Sequence, residues 1–212
     1  MKLGDTGATG GDADTDTDTD SDTDTDVDTS WATVESCGDR HAGGFNDWVA
    51  GGGQAFLVHG NSEEDAQLGS DTFESYADLV GDSFDSFELR AEADLTADER
   101  TANLFVVGYP DTQPLLAEMD GSLPVRFTED GFVFGGQLWD EPQAGLALDH
   151  PNPFASDTMV LVFAGNSFAG ASNTFTVMTG RHDYHVVSGR GALAVEGDLC
   201  TDTTPWSVVT GG

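Results

Sequence analysis

The chain has 212 residues and a formal net charge of −32, and Lys2 is its single lysine. So acidic a balance argues against nucleic acid and anionic membrane surfaces, since both require Lys and Arg to displace counterions. No apolar run reaches the ~18 residues of a transmembrane helix, and Met1-Lys2-Leu3 passes straight into Gly4-Asp5 without a signal peptide.

Residues 12–28 read DADTDTDTDSDTDTDVD, with an acid at every second position. Like charges this dense repel and extend, and nothing apolar is available to bury. The stretch lacks the glycine and distal Glu of an EF-hand loop, so we read a solvated spacer rather than a calcium-binding repeat. Ten Asp and one Lys leave −9 on residues 1–30, and 29 acids against six Arg leave −23 on residues 31–212. The domain division is therefore a disordered acidic linker over 1–30 and one acidic folded domain over 31–212. The linker resembles the Asp/Thr-rich linkers of bacterial surface lipoproteins. That resemblance implies an export signal and a lipid anchor upstream of Met1, and an extracytoplasmic location.

Residues 31–53 are irregular and glycine-rich, with Gly51-Gly52-Gly53 as a hinge. Gln54–His59 is a short strand closed by Gly60. Residues 63–82 carry Ala66, Phe73, Tyr76, Ala77 and Val80 at helical spacing, with acids in the first turn that suit the helix dipole. Residues 86–92 alternate as a strand with one wet face. Thr96-Ala97-Asp98-Glu99 matches a capping box and starts a short helix. Leu104–Val107 is a buried strand ended by Gly108, and Pro114 opens a helix carrying Leu115, Leu116 and Met119. Residues 125–127 and 132–134 flank Thr128-Glu129-Asp130-Gly131 as a hairpin, which continues through Leu138-Trp139. Leu146–Leu148 returns to the sheet, and Pro151-Asn152-Pro153 forces a loop. Met159–Phe163 is an unbroken apolar strand ended by Gly165. Asn166 or Ser167 then caps a helix with Phe168, Ala171, Phe175 and Met178 on one face. Tyr184–Val187 and Ala192–Val195 close the chain as a hairpin about Ser188-Gly189-Arg190-Gly191.

This order predicts an α/β fold. We expect three layers: a mainly parallel, flavodoxin- or Rossmann-like sheet, helices on both of its faces, and a β-rich antiparallel insertion. Cys37 and Cys200 stand at the two ends of the folded region, so a disulfide joining those ends is expected, and with it an oxidising compartment.

Three stretches, AFLVHGNSEEDA, NLFVVGYPDTQPLLAEMDGSLPVRF and DHPNPFASDTMVLVFAGNSFAG, together resemble an α/β accessory module of secreted bacterial proteins. That module is found beside prolyl-oligopeptidase-type serine hydrolases and in surface-layer-like proteins. Its pattern is a strand ending in a glycine turn, a G-x-P-x-x-N helix start and a Pro-Asn-Pro loop before the last buried strand. Gln113 stands here where that pattern has Asn. The resemblance spans about residues 54–187. It implies a structural or binding role, and it brings no catalytic residues and no cofactor.

The enzymatic alternative rests on Gly165-Asn166-Ser167-Phe168-Ala169, which approaches the G-x-S-x-G nucleophile elbow at a strand-to-helix turn. Ser167 would then act with Asp183 and with His182 or His185 as a small serine hydrolase. Against this, Ala169 replaces the second glycine, and Ser167 is equally explained as an N-cap. His182 and His185 form one His-x-x-His pair, short of a metal site without further ligands. Tyr109 and Asn166 follow strand ends, where α/β proteins bind ligands. Trp31, Trp48, Trp139 and Trp206 fall in loops or edges, and Trp139 beside Asp140-Glu141 suits a surface protein or glycan partner. Tyr109, Trp139 and Asn166 are therefore the candidate binding residues.

Overall fold

The computed structural model describes residues 28–41, 49, 51–177 and 181–210. Trp48, Met178 and the Asp/Thr stretch up to Val27 lie outside the described residues. The strands are β1 (Thr33–Val34), β2 (Gln54–His59), β3 (Ser86–Ala91), β4 (Asn103–Gly108), β5 (Val125–Thr128), β6 (Gly131–Phe134), β7 (Gln137–Trp139), β8 (Gly145–Pro151), β9 (Met159–Gly165), β10 (Tyr184–Val187), β11 (Leu193–Gly197), β12 (Leu199–Cys200) and β13 (Ser207–Val209). The described α-helices are α1 (Glu63–Val80), α2 (Pro114–Glu118) and α3 (Phe168–Val177).

A seven-stranded sheet in the order β11-β10-β8-β9-β4-β2-β3 forms the centre. Its apolar runs were legible for a simple reason. β4 and β9 are buried along nearly their whole length, so every position must be apolar or hydrogen-bonded. β3 is an edge strand with a half-exposed pattern, matching its alternating sequence.

The expected mainly parallel, flavodoxin- or Rossmann-like fold with helices on both faces is not what forms. Within the central sheet the pairings β3–β2, β2–β4 and β4–β9 are parallel, whereas β9–β8, β8–β10 and β10–β11 are antiparallel. Two further three-stranded sheets, β5-β6-β7 and β1-β13-β12, stand beside the central one. Strand outweighs helix in the whole, and the architecture is a mixed, β-rich one.

The layering explains why. One face of the central sheet is covered by α1 and α3, whose Tyr76 and Phe175 meet Phe163 at ring separations of 5.4 and 4.5 Å. Among the described residues the other face has only α2, five residues long, too short to cover it. There the hairpin layer does the work of helices. Val125, Phe132, Phe134 and Trp139 pack with Leu104, Val106, Leu146, Val160 and Val162 in one apolar cluster. The excursion read as an insertion is thus the second covering layer.

Local signals held where chemistry was local. Ser62 and Asp65 form a full capping box at the start of α1. Thr96 and Glu99 form the reciprocal bonds expected of theirs, Thr96 N–H to Glu99 Oε2 at 2.8 Å and Glu99 N–H to Thr96 Oγ1 at 3.3 Å. Only a 3-10 turn, Glu99–Thr101, follows it, because β4 begins two residues later. Gln113, where the resemblance implies Asn, is the N-cap of α2. Its Oε1 accepts from Leu115 N–H at 3.4 Å, and its Nε2 donates to the carbonyls of Val58 and Val107 at 3.2 Å each.

The disulfide is present. Cys37 and Cys200 are joined across a sequence separation of 163, with Cα atoms 5.7 Å apart. It fastens the segment before the central sheet to β12. Among the described residues no helix is long and apolar enough to cross a membrane.

Candidate functional site

β4 and β9 run parallel and both stop at a glycine, Gly108 and Gly165. β8 next to them runs the opposite way, so their carboxyl ends open beside a change of strand direction, where ligands of open sheets enter. Tyr109, Pro110 and Asp111 leave β4 there, Asn166 leaves β9, and Asp140 and Pro142 arrive from the β7–β8 loop. The turn Thr128–Gly131 between β5 and β6 closes the far wall of a crevice of about 180 Å³.

Two local devices shape it. Asn166 Nδ2 donates to the carbonyls of Trp139 and Glu141 at 2.8 and 2.9 Å, pinning the β7–β8 loop to the end of β9. Gly131 has φ 151°, and a Cβ there would stand 2.2 Å from the Trp139 carbonyl, so only glycine lets the turn close against β7. Tyr109 is held by its hydroxyl, which donates to Glu64 Oε2 at 3.4 Å. Asp111, Glu129, Asp130 and Asp140 line the crevice, and neither Lys nor Arg does. Such a site repels phosphate and carboxylate and favours a positively charged group.

Of the candidate binding residues, the structure brings Tyr109 and Asn166 together in this crevice and sends Trp139 elsewhere. The Trp139 ring is 9% exposed, and its Nε1–H donates to Phe134 O at 3.3 Å. The other described tryptophans are also packed. Trp31 donates to Leu123 O at 3.1 Å beneath the Arg126 guanidinium, and Trp206 lies between His41 and His150 at ring separations of 4.9 and 5.4 Å.

Ser167 sits at the crevice side of α3, where its hydroxyl donates to Pro142 O at 2.6 Å and accepts from Gly170 N–H at 3.3 Å. It is the N-cap of α3. The position where a small residue is required is Gly170, outside the G-x-S-x-G frame, where a Cβ would meet the Ala144 carbonyl at 2.3 Å. The other members of the postulated triad have different partners. His182 Nδ1 lies 2.9 Å from Asp198, and His185 Nε2 lies 3.3 Å from Glu196. Asp183 accepts from Leu199 N–H at 2.8 Å and pairs with His41 Nδ1 at 2.5 Å. In register, His185 is level with Ala147 and Phe163, inside the sheet, whereas Ser167 lies beyond the strand end.

A buried polar cluster escaped the sequence reading. Asp149 on β8 and Asp183, just before β10, lie next to each other, with Asp149 N–H donating to Asp183 O at 2.7 Å. Both carboxyl oxygens of Asp149 are buried without a hydrogen-bond partner among the described residues. Burial, reinforced by the Asp183 charge and only partly offset by His41, pushes Asp149 up to about 8. Asp149 is therefore a neutral acid at pH 7. Its neighbour His150 is pushed down to about 4 by burial. His150 is neutral with the proton on Nδ1, which lies 2.8 Å from Pro151 O, while Nε2 accepts from Trp206 N–H at 3.3 Å. The one available signal was Asp149-His150 at the end of an otherwise apolar run. The neighbour that shifts Asp149 is 34 positions away in sequence, and register alone reveals it.

Among the described residues, Cys37, Cys200 and Asp202 are the one group of three metal-type side chains that converge, and both sulfurs are already in the disulfide. Comparisons with protein-family models, curated proteins and solved structures found no match.

Proposed function

We propose that this chain is an exported, surface-tethered binding module without catalytic activity, which takes a cationic group of a partner into the crevice at the ends of β4 and β9. The observation that carries the reading is the state of Ser167. Its hydroxyl donates to the Pro142 carbonyl and caps α3, and the histidines that would serve it as bases pair with Asp198 and Glu196. A nucleophile needs a base within hydrogen-bond reach. What remains at the strand ends is a polar, carboxylate-lined cavity suited to a lysine or arginine side chain of a surface protein. Export is supported by the disulfide and by the Asp/Thr-rich linker.

The test is labelling by a fluorophosphonate probe, with titration of a trilysine peptide on the same preparation. We expect no labelling, and peptide binding that Asp111→Asn with Asp140→Asn weakens by roughly tenfold or more. Stoichiometric labelling abolished by Ser167→Ala would make the protein a serine hydrolase. Equal peptide binding by the double variant would remove the crevice as the site.

A further inference from the structure

The two edges of the central sheet differ. β3, at one edge, is guarded by charge, since Arg90 pairs with Glu88 at 2.6 Å and with Glu99 at 3.2 Å. β11, at the other, reads Leu-Ala-Val-Glu-Gly and is exposed along almost its whole length. Leu193 and Val195 are 42% and 39% exposed, and Leu79 is the one other large apolar side chain so exposed among the described residues. No described strand pairs with the outer side of β11. β11 carries no proline, and its one charged side chain, Glu196, is turned to His185 on a single face; an exposed, largely apolar edge of this kind attracts a further strand.

The two faces of β11 have different chemistry. Val195 pairs with Val186 on the face covered by the hairpin layer. That layer stops short of β11 and leaves a groove of about 300 Å³ lined by Phe134, Trp139, Tyr184, Val195 and Val208. Glu196 is on the opposite face, where it pairs with His185. A strand added beside β11 would place alternate side chains over the groove and the others beside Glu196.

We propose that β11 is a strand-addition site for an extended segment of another protein in which apolar residues alternate with Lys or Arg. The apolar residues enter the groove beside Val195, and the basic ones face Glu196 and the acidic surface. A second copy of this chain fits less well, since it would set one charge of −32 against another. This site is separate from the crevice and stands without it.

The probe is an octapeptide of alternating Val and Lys with blocked ends, titrated while backbone amide shifts are recorded by NMR. Its counterpart, N-methylated at every second residue, keeps the charge and the apolar groups but cannot form the ladder. We expect shifts at residues 193–197 and in the groove. Read from the shifts of residues 193–197, both N-methylation and Leu193→Lys with Val195→Lys should weaken binding at β11 by roughly tenfold or more, while Asp111→Asn with Asp140→Asn removes only shifts at the crevice and leaves those of β11 in place. Should the lysine variant unfold, Leu193→Thr with Val195→Thr removes the exposed apolar side chains using strand formers and must show the same loss. Equal binding of the methylated peptide, shifts confined to other surfaces, or a wild-type dimer dispersed by the lysine variant would overturn the proposal.

Discussion

Asp149 is the residue on which pH acts most directly. Its carboxyl titrates near 3.8 when unfolded and at about 8 in the fold. Between those values the folded state holds a proton that the unfolded state has lost, so stability falls as pH rises through that window and levels off above it. Asp149→Asn keeps the shape and removes the titration. We expect the variant to gain on wild type as pH rises from 5 to 8, by about 3–4 kcal/mol or roughly 6–16 °C in melting temperature. Parallel melting-temperature profiles across that range would show that Asp149 is ionised in the fold. Gln113 is a second sensitive position, buried at 0% exposure and joining the start of α2 to the backbones of β2 and β4. Gln113→Ala leaves the Val58 and Val107 carbonyls unpaired by this side chain and should cost about 2–4 kcal/mol in urea denaturation. A loss below about 0.5 kcal/mol would mean that water replaces the amide.

At the scale of elements, α3 depends on contact between backbones. Gly170 places the first turn of the helix against β8, and a Cβ would stand 2.3 Å from the Ala144 carbonyl. Gly170→Ala should therefore lift α3 off the sheet. The expected loss is about 3 kcal/mol or more, despite the higher helix propensity of alanine. Ser167→Ala, which only removes the cap, should cost about 1 kcal/mol. Equal losses in thermal unfolding would contradict the close approach. The hairpin layer is the other telling element. Its segments were legible, since Thr128-Glu129-Asp130-Gly131 is a turn between two apolar runs. Its place as a covering layer was not, because a hairpin's sequence shows which side is apolar but not what that side meets.

For the whole molecule, the disulfide and the charge set the conditions of stability. Cys37–Cys200 closes a loop of 163 residues, worth about 5 kcal/mol in the chain-entropy account. Reduction should lower the melting temperature by roughly 10 °C or more, and an unchanged value would show that β1, β12 and β13 hold the ends unaided. Residues 31–212 carry −23, so their self-repulsion should be relieved by salt and the melting temperature should rise with ionic strength.

The sequence by itself determined many local features of this protein: the strands of the central sheet and of the hairpin layer and the helices from apolar periodicity, caps and turns from short polar motifs, and the pairing of the two cysteines; β1, β12 and β13 were not among them. Each depends on residues close in the chain or, for Cys37 and Cys200, on there being one partner to choose. Only the tertiary structure decided the strand directions, the hairpin-covered second face, the inward turn of Trp139, the capping role of Ser167 and the Asp149–Asp183 pair. These follow from register and from which apolar faces meet. Such contacts join residues far apart in sequence, and the same local pattern suits several of them.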